Sequence, residues 1–75
     1  MRKRRISGRA MAKVLTEHFG FVFIKQKGSH MKFRAPRGGR VVTTIVPDHK
    51  ELDYGTIRGI LRLAEIMEED FWKAF

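Results

Sequence analysis

The chain carries three histidines, His18, His30 and His49, and no cysteine. Without a thiol, neither a thiolate nucleophile nor a zinc–thiolate site can form. The histidines are too far apart for a ligand spacing such as H-x3-H, so no metal is expected. What remains is acid–base chemistry by imidazole, the side chain suited to proton transfer near neutral pH. Two of the three sit in short turn-like segments, Gly28-Ser29-His30 and Pro47-Asp48-His49. His18 instead follows Met11, Val14 and Leu15 on an apolar helical stripe and is expected as a partly buried packing residue.

The charge around these histidines is lopsided. Of 75 residues, 16 are Lys or Arg and 8 are Asp or Glu, for a net charge of +8. Residues 1–40 hold 12 of the basic side chains and one acid; residues 41–75 hold 4 basic and 7 acidic. Such a field steers anionic partners to one side of a molecule, and nucleic acid is the partner class it fits. A histidine among cations suits RNA cleavage in particular. RNA brings its own nucleophile, the 2′-hydroxyl. The protein has only to move protons and stabilise the charge on phosphorus. This route needs no metal or small-molecule cofactor, and none is expected.

Position follows from the elements. Ser7 can cap a helix reaching about Phe19, with Arg9, Lys13 and Glu17 on its outer side and Gly20 as its stop. Phe21 to Gln26 is rich in aromatic and β-branched residues and reads as a strand. Lys27-Gly28-Ser29 turns the chain. From His30 onward Met31 and Phe33 alternate with His30, Lys32 and Arg34, the pattern of a half-buried strand with a basic outer face. Pro36-Arg37-Gly38-Gly39 is expected as a hairpin loop, and Val41 to Val46 as the third strand, ended by Pro47. A hairpin centred near Gly38 sets His30 opposite roughly Val46. His49 then comes near His30, with Lys27, Lys32 and Arg34 around them. Asp53 caps a second helix, with Leu52 and Ile57 as a hydrophobic staple and Ile57, Ile60, Leu61 and Ala64 as its apolar stripe. Glu68-Glu69-Asp70 opens a short third helix. Its Phe71, Trp72 and Phe75 are expected to cover the core rather than stack on bases.

The expected fold class is therefore α+β: a three-stranded antiparallel sheet with the helices on one face, in the order α-β-β-β-α plus a short C-terminal helix. The length suits a single domain over 1–75, with 1–5 as a flexible basic arm. No apolar run approaches the ~18 residues of a membrane span, and Ile6-Ser7-Gly8-Arg9 after the arm is not the apolar stretch of a signal peptide. A cytoplasmic protein with no membrane partner is expected.

The motifs in order are Ser7-Gly8, Gly20-Phe21, Gly28-Ser29-His30, Pro47-Asp48-His49, and Gly55-Thr56-Ile57-Arg58 followed by Ile60-Leu61. Together, over about residues 6 to 66, the chain resembles the HicA (YcfA-like) toxin family of small mRNA interferases. The resemblance implies a fold like a double-stranded-RNA-binding domain and a catalytic histidine at the position of His30. It also implies cleavage of messenger RNA without the ribosome, and a HicB-type antitoxin that blocks the site. One departure stands out. The family often ends its second helix with glycine and caps the next with Ser or Thr, where this chain has Ala64-Glu65-Ile66-Met67-Glu68. Helices two and three are therefore expected to bend differently or to run on.

The expected site is thus His30 as catalytic residue, Gly28 and Ser29 as its turn, and Lys27, Lys32 and Arg34 as RNA-binding residues. His49 is either a supporting residue or an ordinary loop residue. The alternative is a noncatalytic double-stranded-RNA-binding module of the same fold. A DNA-binding reading would need a helix with an exposed base-reading face, and helix two offers only Arg58 and Arg62 outward.

Overall fold

The computed structural model describes residues 5–75. Its elements run α1 (Gly8–His18), β1 (Val22–Lys27), β2 (His30–Arg37), β3 (Arg40–Pro47), α2 (Tyr54–Ala64) and α3 (Glu68–Ala74). The strands form one antiparallel sheet in the order β1-β2-β3. Apart from Arg5, the arm expected at 1–5 lies outside the described residues; Arg5 pairs with Glu51.

Local sequence sets the helix starts. The Ser7 hydroxyl accepts a hydrogen bond from the Ala10 amide at 3.0 Å, and the Asp53 carboxylate accepts one from the Thr56 amide at 2.9 Å. Leu52 before the second cap and Ile57 within α2 are both buried, as a staple requires. Helix α1 stops at Phe19 and Gly20, whose φ of +72° suits glycine. His18 is exposed, contrary to expectation. The inward face of α1 is completed by Gly8, Met11, Val14 and Leu15, and His18 sits in the last turn beyond the sheet's cover.

Helices α2 and α3 do not run on. Glu65 takes the left-handed conformation (φ 58°, ψ 45°) that glycine adopts without strain. The Glu65 amide donates to the Arg62 carbonyl and the Ile66 amide to the Leu61 carbonyl, the paired bonds of a Schellman ending. The Glu65 carboxylate is held by both Nη atoms of Arg40, at 2.6 and 2.8 Å.

The β2–β3 register differs from expectation by one residue. His30 pairs with Pro47, and Arg37 with Arg40, around a two-residue turn. Pro36 and Arg37 belong to β2 rather than to the loop. The pleat explains this. Met31, Phe33 and Ala35 are buried at odd positions of β2, and Val42, Thr44 and Val46 at even positions of β3. Only an odd sum of paired numbers puts both sets on one face. Gly38 and Gly39, with φ of +55° and +83°, supply the two positive angles that such a tight turn demands.

The helices cover this buried face. Thr44, fully buried, donates its hydroxyl hydrogen to the Ile60 carbonyl of α2 at 2.9 Å, so its polar atom is satisfied in the core. Phe71 of α3 is also fully buried, and Trp72 and Phe75 pack on it at ring separations of 5.0 and 6.2 Å. The opposite sheet face is open. No helix among the described residues is long and apolar enough to cross a membrane.

Candidate RNA-binding and cleavage site

The turn between β1 and β2 consists of two residues, Gly28 and Ser29, flanked by the pair Lys27–His30. Gly28 has φ +58°, so glycine is the residue that fits there. His30 is the first residue of β2, exposed, on the open face. Its direct neighbours are Lys27 on β1 and Pro47 on β3. Further along that face Lys32 lies between Lys25 and Ile45, and Arg34 between Val22 and Thr43. The expected residues Lys27, His30, Lys32 and Arg34 are thus brought onto one surface. Arg34 donates from Nε to the Thr43 hydroxyl at 3.3 Å.

The turn is held from below by a clamp that sequence reasoning missed. Asp48 donates its backbone N–H to the Ser29 carbonyl at 2.6 Å. Its carboxylate receives a bidentate pair from Arg9 of α1, with both bonds at 3.0 Å. Gln26 of β1 donates from Nε2 to the same carboxylate at 3.2 Å and to the Gly28 carbonyl at 2.9 Å. Helix, edge strand and loop therefore converge on the turn that presents His30. The Arg9 hydrogen bonds, followed by that of Gln26, hold the Asp48 carboxyl below its ordinary range, with a smaller push the same way from nearby His49. Sequence offered little warning. Arg9 is 39 positions from Asp48 and reads as an outward helix residue.

His49 is exposed, and its carbonyl accepts the Gly8 amide at 2.9 Å. The loop lies so close to α1 that a Cβ on Gly8 would sit 1.8 Å from the Pro47 carbonyl oxygen. Gly8 is thus required by close approach. Neither the His30 nor the His49 imidazole makes a hydrogen bond or ion pair among the described residues. Within the same described set, no three His, Asp or Glu side chains are grouped to hold a metal ion.

No curated protein and no solved structure matches the chain significantly. A family model described as the HicA toxin of bacterial toxin–antitoxin systems matches residues 8–66, from the first residue of α1 to just past the end of α2. Its span takes in the turn, the clamp and the whole sheet, and covers well over half of the sequence. This chain belongs to the HicA toxin family.

Proposed function

We propose that the protein is a cytoplasmic endoribonuclease that cuts messenger RNA with His30 as its catalytic residue and is restrained by a HicB-like antitoxin. The observation that carries this reading is the placement of His30. It is exposed at the head of an open sheet face, beside Lys27, in a turn that Asp48 and Gln26 fix from behind. A turn so anchored holds its imidazole on a rigid base, which proton transfer at a defined atom requires.

In the reaction proposed, the 2′-oxygen attacks the adjacent phosphorus as His30 takes its proton. The bond from phosphorus to the 5′-oxygen breaks, and that oxygen leaves with a proton from the imidazolium or from water. Lys27, directly beside His30, offsets the charge gathered on the phosphoryl oxygens, and Lys32 and Arg34 bind the RNA along the strand. Gly28 and Ser29 shape the turn. His49 supports the site through the loop that carries Asp48. The products are a 2′,3′-cyclic phosphate and a 5′-hydroxyl end, and no cofactor enters the balance.

Expression in growing bacteria tests the reading. Induction of the wild type should arrest growth and shorten messenger RNA lifetimes, and RNA ends mapped afterwards should carry 2′,3′-cyclic phosphate. Co-expression of its antitoxin should restore growth. Arrest that persists undiminished with His30→Ala, or cleavage that leaves 5′-phosphate ends, contradicts the mechanism.

A further inference from the structure

The described basic side chains fall into paired and unpaired sets, and the unpaired set includes Lys13, Lys50, Arg62 and Lys73 away from the open face as well as a cluster on it. Away from the open face, Arg5, Arg9, Arg40 and Arg58 each pair with a carboxylate, from Glu51, Asp48, Glu65 and Glu68 respectively. Arg37 is tied down by stacking 5.1 Å from the Phe21 ring and by donating to the Phe19 carbonyl. On the open face Lys25, Lys27, Lys32 and Arg34 have no carboxylate partner among the described residues. Lys25 stands directly opposite Lys32 in the ladder. Like charges in that position destabilise a sheet.

Lysines on an edge strand have a simple explanation, because they discourage sheet-to-sheet aggregation. That accounts for Lys25 and Lys27 on β1. It does not account for Lys32 and Arg34, which lie on the central strand. An unneutralised row across two strands is a local conflict that an anion would relieve.

The row is straight. Residues two apart on one strand face are separated by about 6.8 Å, twice the rise per residue. His30, Lys32 and Arg34 therefore mark a line of roughly 14 Å with one side chain every ~6.8 Å, a regular row that an extended phosphate backbone can follow. Duplex readers instead span ~16 base pairs, across two minor grooves. The chemistry points the same way. Attack by a 2′-oxygen needs that oxygen in line with the leaving 5′-oxygen, a geometry that a stacked A-form helix denies.

We propose that the open sheet face is a track for single-stranded RNA, in which Lys25, Lys32 and Arg34 hold the phosphates on one side of the bond placed at His30. This rests on the cleavage reading above and deepens it. Lys25 is a new contact residue. The strands place no Phe, Tyr or Trp on this face, so bases have no platform to stack on and the track grips backbone rather than sequence. His30 lies at one end of the row, so the footprint is one-sided about the cut.

The test uses the full chain carrying His30→Ala, so that RNA is bound but not cut, and the same variant with Lys25→Ala added. Binding is measured against salt for one oligonucleotide, single-stranded and annealed to its complement. The single strand should bind more tightly, and Lys25→Ala should lower its salt slope by about 0.7, the loss of one phosphate contact. Equal or tighter duplex binding overturns the proposal, as does a slope unmoved by Lys25→Ala. So does a Lys25→Ala change that weakens antitoxin capture while leaving RNA affinity intact, since the face would then be a protein-docking surface. Cleavage by the wild type can survive each of these results, so failure of the track and failure of the His30 reading remain distinguishable.

Discussion

Asp48 ties helix α1, strand β1 and the Gly28-Ser29 turn together just before His30. Its amide fixes Ser29, and its carboxylate joins Arg9 and Gln26. Because these partners hold the carboxyl below its ordinary range, the folded state binds that proton less readily than the unfolded chain. The stabilisation is therefore present above the ordinary carboxylate range and is lost as pH falls through the depressed value. Asp48→Asn should lower Tm at pH 7, and the gap from wild type should close as the solution is acidified below pH ~4. A gap that stays constant down to strong acid would show that the ion pair contributes nothing. The prominence of His30 was legible in the sequence from a glycine turn followed by an alternating basic strand. The clamp was not, because its members come from three elements and nothing in their spacing links them.

Among the elements, the junction of α1 with the loop after β3 is the tightest. Gly8 is buried, and a methyl group there would press on the Pro47 carbonyl, which is backbone and cannot swing aside. Gly8→Ala should cost about 1–3 kcal/mol by overpacking, seen as a lower midpoint in urea. It should also reduce cleavage, because the displaced loop carries Asp48 and with it the Ser29 turn. Unchanged stability would mean that helix and loop part easily. At this scale most of the fold was readable. The caps at Ser7 and Asp53, the alternation in β2 and the stripe of α2 are local signals. The register was misjudged by one residue because a glycine pair permits either loop length, and burial on both strands decides between them. His18 was misplaced because helical periodicity says nothing of where the covering layer ends. Glu65 ends α2 in a conformation that its side chain disfavours by about 1 kcal/mol, with Arg40 holding its carboxylate.

As a whole the molecule is two layers thick, with extents of 36 × 29 × 19 Å. At roughly 0.05–0.15 kcal/mol per residue its total stability is on the order of 4–11 kcal/mol. The fully buried Phe71 joins the last helix to the core. Phe71→Ala should cost about 3–5 kcal/mol, enough to leave a large unfolded fraction near 37 °C by circular dichroism. A mild effect would show that α3 is dispensable to the fold. The charge asymmetry between the two parts of the sequence foretold a basic side. It did not foretell that Arg5, Arg9, Arg40 and Arg58 would pair with carboxylates while Lys25, Lys27, Lys32 and Arg34 share the open sheet face with no carboxylate partner among the described residues.

The central claim is that His30 does the chemistry, and it is tested most directly with purified protein on a defined RNA in excess EDTA. The wild type should cut, and His30→Ala, folded with an unchanged Tm, should cut at least ~100-fold more slowly. Equal cleavage by the two, or no cleavage by a folded wild type that binds the RNA, would contradict the account.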